Sequence, residues 1–301
     1  MGLEMGVITK NDVVAIVVAF NFSGERADNI ITRLINQGVY TIVVDNSDRH
    51  SNFLESITSD YYFNGGNVGI AKAQNTGIRR ALTKGAKGVL IFDQDSLIPG
   101  DYVVKMLQVA NSVPENIGII SPKILDLNTG QFTNPRSYRR NAKGIKITNS
   151  IENDSDYFYA AKPIASGQFI FSRVFQEVGV MEENYFIDAV DTEFNLRAIL
   201  AGYESIVHGD VLLHHTIGSK RTVTIGPILL RPSNHSAFRK YFIERNNIWM
   251  YRKFKKNVQG LGLQTMLTVL SQIVYILFEN DKTAKFKSSF KGIVDGILTR
   301  R

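Results

Sequence analysis

The 301-residue sequence contains no cysteine. This absence excludes a disulfide framework, a thiolate metal site and a cysteine nucleophile, and it suits a reducing compartment. The first twelve residues also lack a basic region followed by an apolar stretch, so we expect no signal peptide. The hydrophobic content of 44% is ordinary for a globular protein, which predicts a sizeable core in one large or two small domains.

Net charge is missing from most of the chain. Residues 1–250 carry 25 Lys+Arg and 25 Asp+Glu, whereas residues 251–301 carry 10 basic and 3 acidic residues, so the tail accounts for the whole net charge of +7. A basic tail indicates an anionic partner surface, either a membrane or a nucleic acid. The neutral body argues against a nucleic-acid-binding protein.

Charged residues are also absent from residues 261–278, a segment that approaches the length of a membrane span. Its polar residues make it too polar on one side to cross a membrane as a single helix, and lysines flank it on both sides. The apolar residues recur at helical spacing and are Leu263, Met266, Leu267, Leu270, Val274, Leu277 and Phe278. This amphipathic helix lies in a membrane interface, docks on the protein's own core or contacts a second copy.

Apolar runs bounded by turn residues predict strands at 13–20, 40–44, 60–63, 89–92 and 117–121. Helical spacing predicts helices between them, at about 23–37, 70–82 and 101–111. Strands that alternate with helices over short loops form right-handed βαβ units and a parallel sheet. The sequence therefore predicts a nucleotide-binding type of half-fold over residues 13–121.

The pattern changes after residue 121. Residues 122–165 predict loops and a hairpin, and residues 218–236 predict a polar loop. The remaining predicted elements are strands at 167–171 and 211–213, a short helix at 173–178, a helix that ends at Gly202, and a helix at 238–254.

Two aspartates, Asp93 and Asp95, follow the buried strand at 89–92. Residues i and i+2 of an extended chain point to the same side, and ligands of open α/β sheets bind at the carboxyl ends of the strands. Two adjacent carboxylates repel each other unless a cation lies between them. The pair therefore predicts a metal site that holds a diphosphate, and the alternative is a polar strand end that caps the next helix.

Further polar residues follow other predicted strands or begin helices. Each has a structural alternative, because such residues also form turns, tight strand-to-helix connections and favourable contacts with helix dipoles. Their order along the chain is more specific than any one of them. They are Asp45, the loop of Gly66, Asn67 and Gly69 with Asn75, then Asp188, Asp191 and Glu193, and last His214 and His215.

Taken in order, these segments resemble the inverting glycosyltransferases of family 2, which have the GT-A fold, and among them the bacterial rhamnosyltransferases. The resemblance extends over about residues 13–250. The matching segments are 17–21, 43–47, 66–77, 92–96, 166–168, 186–193, 196–197, 202–203, 214–218 and 239–246.

The resemblance implies an α/β fold with a Rossmann-like, mostly parallel sheet flanked by helices and followed by a C-terminal helical extension. It implies a GT-A catalytic domain over residues 1–236, with a nucleotide-binding half at about 13–121 and an acceptor half at about 122–236. Residues 237–301 would then form a basic helical segment that contacts the membrane.

Family roles can be carried onto matching positions of this chain. The metal, Mg²⁺ or Mn²⁺, would be held by Asp95 and Asp93, with His214 and His215 completing the site. The residues implied to bind the nucleotide or the donor sugar are Phe20, Asn21, Asp45, Asn67, Asn75, Asp93, Gln94, Arg239 and Arg245.

The catalytic base of this family is the Asp of a Glu-Asp pair shortly before a Leu-Arg pair. Here that position is Asp191, and Val190 replaces the usual Glu. Because of this departure, Asp188 and Glu193 stay open as alternative bases.

The resemblance further implies a cytoplasmic enzyme at the inner face of a bacterial membrane, with no nucleic-acid partner and an open oligomeric state. It would move L-rhamnose from dTDP-L-rhamnose to a lipid-linked saccharide in surface polysaccharide synthesis, for example of O-antigen. A different donor sugar stays open. A nucleotidyltransferase is a further alternative, but it requires a glycine-rich loop with a basic residue directly after the first strand, and residues 21–26 fit that pattern poorly.

Overall fold

The computed structural model describes residues 6–22, 27–58, 60–149, 156–215, 223–225, 228–230 and 232–299. The start of the predicted helix at 23–37 and much of the predicted loop at 218–236 lie outside these ranges. Between 218 and 236, the described residues include a short hairpin, formed by Val223–Ile225 and Ile228–Leu230.

Most predicted strands lie within one or two residues of their expected bounds. The exceptions are the strand predicted at 117–121, which continues to Asp126, and the strand predicted at 211–213, which is twelve residues long. The strands are β1 (Val13–Ala19), β2 (Tyr40–Asp45), β3 (Asp60–Phe63), β4 (Gly88–Asp93), β5 (Ile117–Asp126), β6 (Gln131–Phe132), β7 (Ser137–Asn141), β8 (Gly144–Thr148), β9 (Tyr157–Tyr159), β10 (Gln168–Phe171), β11 (Glu204–His215), β12 (Val223–Ile225), β13 (Ile228–Leu230) and β14 (Val258–Gln259).

The helices also follow the predicted order, with a short addition after the second strand and a separate last helix within the segment that was expected to be helical as a whole. They are α1 (Ala27–Asn36), α2 (Asn52–Ile57), α3 (Ile70–Thr83), α4 (Tyr102–Ser112), α5 (Ser172–Val178), α6 (Val190–Leu200), α7 (Ala237–Phe254), α8 (Leu261–Ile276) and α9 (Lys282–Leu298).

A mixed, mostly parallel sheet forms the centre of the protein, in the order β3-β2-β1-β4-β10-β5-β11-β9. The first four of these strands are parallel, as the βαβ pattern predicts. The prediction did not place β10, which runs antiparallel between β4 and β5. The fold class is confirmed: a Rossmann-like sheet is flanked by helices and followed by a helical extension.

The main core lies between this sheet and its helices, because β1, β2 and β4 carry almost continuous apolar side chains that are buried on both faces. Helix α3 packs very closely on β1. A Cβ at Gly77 of α3 would lie 2.5 Å from Cγ2 of Ile16. This close packing holds the N-terminus of α3 at the edge where the parallel strands end.

The C-terminal extension packs on the sheet through α7, whose Trp249 belongs to the main core. Met250 and Phe254 of the same helix form a second core with Leu196 and Ile199 of α6. Helix α9 lies along α7, and α8 contacts both helices. The domain boundary at residue 236 stays a prediction.

Helix α8 buries Leu261, Thr265 and Ile276 but not its apolar stripe. Among the described residues, no helix is both long and apolar enough to span a membrane. In the described part of the chain most of the stripe is exposed to solvent, which argues against docking on the protein's own core. We use the name apolar face for the residues of this stripe that are more than half exposed, together with two equally exposed aromatic residues of α9. They are Leu263, Met266, Leu267, Leu270, Leu277, Phe286 and Phe290.

Candidate active site

The carboxyl ends of the parallel strands meet at one edge of the sheet. Ala19 of β1 pairs with Asp45 of β2, and Val18 of β1 pairs with Asp93 of β4. The start of β10 lies at this edge because Gly167 donates a backbone hydrogen bond of 2.7 Å to Ile91. The end of β11 reaches it as well, since a backbone bridge joins Leu97 to His214. Residues far apart in the sequence thus converge at one place.

Asp93, Asp95 and His215 form a compact group in which one ligand atom of each lies within 4.8 Å of the others. His215 Nε2 is 3.9 Å from an oxygen of Asp93, and Nδ1 is 3.7 Å from an oxygen of Asp95. Ser166 supports the loop by accepting the backbone N–H of Asp93 at 3.1 Å. Two carboxylates and an imidazole that converge in this way fit a divalent metal ion.

His214 does not belong to this group within the described part of the chain. His214 and His215 are consecutive in β11, and successive side chains of a strand point to opposite faces. The pair therefore offers one ligand to the site.

The surroundings of Asp93 concentrate negative charge. The pKa of this carboxyl is raised to about 6: burial is the largest cause and Asp95 and Asp191 add to it, while His215 and Arg239 act in the opposite direction. Burial and the neighbouring carboxylates make the charged form of Asp93 costly, so a bound cation would stabilise that form. The electrostatic contact with Asp191 also shows that the predicted base lies close to the predicted metal site.

Asp191 lies in the first turn of α6 and accepts the backbone N–H of Thr192 at 2.7 Å. Burial raises the pKa of its carboxyl above the ordinary value, and the neighbouring Asp188 adds to this effect. A raised pKa makes a carboxylate a better proton acceptor, which is what a general base requires.

Asp188 is held by a bidentate ion pair with Arg239 of α7, at 2.9 Å to Nη2 and 3.0 Å to Nε. The same guanidinium also acts electrostatically on Asp93, so Arg239 lies near both acidic groups. Asp188 therefore has its cation already, whereas the carboxylate of Asp191 is the less compensated of the two.

Glu193 is fully buried. Its Oε1 accepts hydrogen bonds from Arg197 at 2.8 Å and from Lys253 of α7 at 2.6 Å. Its Oε2 accepts a hydrogen bond from Arg197 at 3.0 Å. This arrangement joins α6 to α7 and gives both oxygens of Glu193 partners within the protein, which favours a structural ion pair over a base.

A cavity of about 460 Å³ lies beside the site, between the end of β1 and the loop after β2. Its lining residues are Asn21, Phe22, Ser47, Asp48, Arg49, His50 and Ser51. The predicted nucleotide ligand Asp45 lies beneath it and is fully buried. Asp45 accepts hydrogen bonds from the Ser47 N–H and from the Tyr61 hydroxyl. It therefore contacts the cavity through Ser47, which is one of the lining residues.

Three further predicted donor-binding positions, Phe20, Gln94 and Asn75, have hydrogen-bond partners within the protein. Gln94 bonds both backbone groups of Phe20, which ties the end of β1 to the aspartate loop. Asn75 is fully buried and bonds the backbone of Met181 through both atoms of its amide. It therefore anchors the segment before α6 and does not line the cavity.

The glycine loop places Asn67 at the surface, where Oδ1 accepts hydrogen bonds from Asn46 and from Gly69 N–H. Arg245 contacts the chain just before α6, where residues 185–189 form what we call the base segment. It donates a hydrogen bond to the backbone oxygen of Asn184 at 2.7 Å. Its guanidinium carbon lies 4.0 Å from the ring centroid of Trp249. We call Asp93, Asp95 and His215 the metal group. Of the two predicted arginines, Arg239 is the one that lies near it.

Sequence reasoning missed Lys162 and the cavity residues Ser47–Ser51. The pKa of Lys162 is lowered to about 8, mainly by burial and then by Arg136, while Asp191 acts in the opposite direction, so this lysine lies within electrostatic range of Asp191. Lys162 lies in an irregular segment with no periodic pattern, so only the folded chain brings it there. The cavity residues had a signal, because they directly follow Asp45 at the end of β2.

No protein-family model matches the chain. Two curated proteins match over nearly the full length. The chain is 30% identical over 293 residues to the dTDP-rhamnosyl transferase RfbF of Shigella flexneri, covering 95% of this chain and 96% of that protein. It is 24% identical over 319 residues to the low-salt glycan biosynthesis hexosyltransferase Agl10 of Haloferax volcanii, covering 97% of this chain and 93% of that protein.

Two solved structures share the fold at low sequence identity. The crystal structure of GalNAc-T7 with UDP, GalNAc and Mn²⁺ superposes with a TM-score of 0.58 at 10% identity, and the match covers 83% of this chain but 48% of that one. The crystal structure of S. aureus TarS 1–349 superposes with a TM-score of 0.53 at 13% identity, covering 94% of this chain and 71% of that one.

Proposed function

Because the chain belongs to the rhamnosyltransferase-like glycosyltransferases of family 2, we propose that it moves L-rhamnose from dTDP-L-rhamnose to a saccharide acceptor with inversion at the anomeric carbon. The observation that carries the proposed mechanism is the meeting of Asp93, Asp95 and His215 with Arg239 and Asp191 at one sheet edge. The near full-length similarity to a protein named as a dTDP-rhamnosyl transferase supports the choice of donor.

The donor side consists of the cavity and the metal group. The cavity takes the nucleoside, and Asp93, Asp95 and His215 hold Mg²⁺ or Mn²⁺, since carboxylate oxygens suit both ions. When bound, the ion supplies positive charge that stabilises the charge developing on the leaving diphosphate. Arg239 lies next to this group and adds a second positive charge there. The structural neighbour crystallised with UDP and Mn²⁺ supports this arrangement.

The acceptor side is built around Asp191. An acceptor hydroxyl oxygen attacks the anomeric carbon as the bond from that carbon to the phosphate oxygen breaks. The hydroxyl proton moves to the carboxylate of Asp191, and the electron pair of the broken bond stays on the nucleoside diphosphate. Attack and departure occur on opposite faces of the sugar, which inverts the configuration.

The acceptor is proposed to be a lipid-linked saccharide in the synthesis of a bacterial surface polysaccharide. The apolar face supports this proposal, because it projects from the C-terminal segment that carries the whole net charge of the protein. Exposed apolar side chains next to lysines fit the interface of an anionic membrane. The protein would then act peripherally at the inner face of the bacterial membrane.

The base assignment is tested by Asp191→Asn. Release of dTDP from dTDP-L-rhamnose is measured first against a panel of dTDP, UDP and GDP sugars, which identifies the donor. We expect Asp191→Asn to lower kcat by about 10²- to 10⁴-fold. The Kd for dTDP with Mn²⁺, measured by calorimetry, should stay unchanged because the asparagine is isosteric and lies outside the nucleotide cavity.

Asp188→Asn is the matched comparison, since it removes the neighbouring carboxylate of the same segment. A near-normal kcat in Asp191→Asn would refute the base assignment. A larger loss in Asp188→Asn than in Asp191→Asn would move the role to Asp188. Failure of the wild-type protein to release dTDP from dTDP-L-rhamnose, with turnover of another nucleotide sugar, would correct the donor alone.

A further inference from the structure

The segment that leads into the base helix has an unusual backbone. Phe186, Asp188 and Ala189 have φ angles of 62°, 65° and 61°, although none of them is glycine. Left-handed backbone at non-glycine residues costs free energy and persists only where the surroundings impose it. Ala189 is the N-cap of α6, so this conformation sets the direction in which α6 presents Asp191.

The side chain of Asn246 on α7 contacts this segment. It is fully buried, and its Nδ2 donates to three backbone oxygens of the segment. The distances are 2.8 Å to Tyr185, 2.7 Å to Ile187 and 2.9 Å to Asp188. Three carbonyl groups turn toward a single nitrogen because the left-handed residues curl the segment around it.

The amide of Asn246 is itself held in one orientation. Its Oδ1 accepts hydrogen bonds from Arg245, at 2.8 Å from Nη2 and 3.0 Å from Nε. Arg245 in turn lies over the ring of Trp249, whose side chain is anchored in the main core. The contacts of Arg245 and Trp249 therefore orient Nδ2 of Asn246 toward the segment.

The same segment is held on its other side by the donor half. The backbone N–H of Ile70, the first residue of α3, donates to the oxygen of Phe186 at 2.7 Å. A Cβ at Gly69 would lie 2.6 Å from the Phe186 ring, so the two segments are in direct contact. The base segment therefore lies between the glycine loop and α7 and contacts both.

We propose that Asn246 is a positioning residue for the transfer reaction: its three hydrogen bonds hold segment 185–189 in the left-handed form that aims Asp191 at the donor sugar. The proposal rests on the proposed role of Asp191 as the base. Asn246 does not reach the substrate. Its loss should therefore lower the rate of the chemical step and leave nucleotide binding intact.

The test is Asn246→Ala, assayed as dTDP release from dTDP-L-rhamnose or from whichever nucleotide sugar the wild-type protein hydrolyses. We expect kcat to fall by about 10- to 100-fold, as a small misplacement of a reacting group costs. KM for the donor and the Kd for dTDP with Mn²⁺ should change by less than about threefold.

Asn247→Ala is the matched control, because the neighbouring amide donates to Ile243 of its own helix at 2.8 Å. It should keep the wild-type kcat. Asn246→Asp separates shape from hydrogen bonding: it keeps the size but removes the donors, and kcat should fall at least as far as in Asn246→Ala.

Arg245→Lys serves where Asn246→Ala does not fold, as judged by loss of dTDP binding. It loses the pair of hydrogen bonds that orients the Asn246 amide, so kcat should fall by at least about threefold at unchanged dTDP affinity. A kcat within twofold of the wild type in Asn246→Ala overturns the proposal, and so does an unchanged kcat in Arg245→Lys if that variant carries the test. If Asp191→Asn loses kcat while Asn246→Ala keeps the wild-type kcat, the positioning role alone is refuted. If Asp191→Asn itself keeps the wild-type kcat, the base assignment is refuted.

Discussion

The acidic residues near the sheet edge are chemically alike but differ in their neighbours. Glu193 is fully buried against two cations, and Asp188 is paired with Arg239, so both are already compensated. Asp93 faces other carboxylates, which suits a residue that binds a cation. Burial raises the pKa of Asp191, and Lys162 is a cation that interacts with it electrostatically, a combination that suits a base. The neighbours of these acidic residues therefore favour different roles for them.

At the same scale, the two histidines give a sharp prediction. We expect His215→Ala to weaken Mn²⁺-dependent binding of dTDP by at least about tenfold, because it removes a ligand of the metal group. His214→Ala removes the side chain on the opposite face of the strand and should change the affinity by less than about threefold. Calorimetry with and without Mn²⁺ makes the comparison, with Asp95→Ala as the positive control. Equal losses in both histidine variants would contradict the single-ligand arrangement.

Helix α7 links the extension to the site. One side of it carries Arg239, Asn246 and Lys253, which contact the base segment and α6. Its other side packs on α9 so closely that a Cβ at Gly292 would lie 2.4 Å from the backbone oxygen of Tyr241. Within this contact Lys240 is fully buried and bonds Glu279 at 3.0 Å. The helix therefore contacts both the segment before α6 and the C-terminal helix α9.

Glu244 of α7 is a buried carboxyl whose two oxygens have no hydrogen-bond partner in the described part of the chain. Burial raises its pKa to about 8, and Lys240 opposes this only in part. Its ordinary pKa is 4.5, so between pH 4.5 and 8 the folded protein holds a proton that the unfolded chain has lost. The stability from this group is complete below pH 4.5 and is lost as the pH rises through 8.

We therefore expect Glu244→Gln, which cannot ionise, to raise Tm relative to the wild type at pH 9 by roughly several degrees, and by much less at pH 5. Thermal unfolding followed across this pH range measures the difference. Glu115→Gln is the control, because Glu115 is exposed, and its Tm should follow the wild type at every pH. A Tm difference between Glu244→Gln and the wild type that does not change with pH would contradict the prediction.

At the scale of the whole molecule, the proposed function rests on two surfaces. One is the carboxyl edge of the sheet, where the cavity, the metal group and the base segment lie. The other is the apolar face of α8 and α9, on a segment with ten basic and three acidic residues. An enzyme that uses a lipid-linked acceptor needs both surfaces on one body, because the acceptor stays in the membrane.

We expect the protein to sediment with vesicles that contain phosphatidylglycerol, and to do so less with phosphatidylcholine or at high salt. The double variant Leu267→Glu/Leu270→Glu should lose vesicle binding and keep its dTDP affinity. Val104→Glu places one such charge on an exposed apolar residue of α4 and should bind vesicles like the wild type. If the double variant instead splits a dimer, seen by size-exclusion chromatography without vesicles, the apolar face contacts a second copy.

Much of the fold was predictable because its signals are local. The runs in β1, β2 and β4 are apolar and short, and turn residues bound them, so strand positions follow from the chain itself. Strand β11 was predicted too short because polar residues such as His208 and Asp210 interrupt its apolar pattern. The position of β10 was not predictable, since it follows a long irregular segment and its partners β4 and β5 are distant in sequence.

The sequence by itself determined the parallel half-sheet, the position of Asp93 and Asp95 at a strand end and the family to which the chain belongs, because each is encoded in short contiguous motifs. Only the tertiary structure decided that one histidine of two joins the metal group, that Glu193 and Asn75 have internal partners, and that Asn246 holds the base segment. The physical reason is that hydrogen bonds and ion pairs join side chains whose distance depends on strand order and helix docking. No local pattern records that distance.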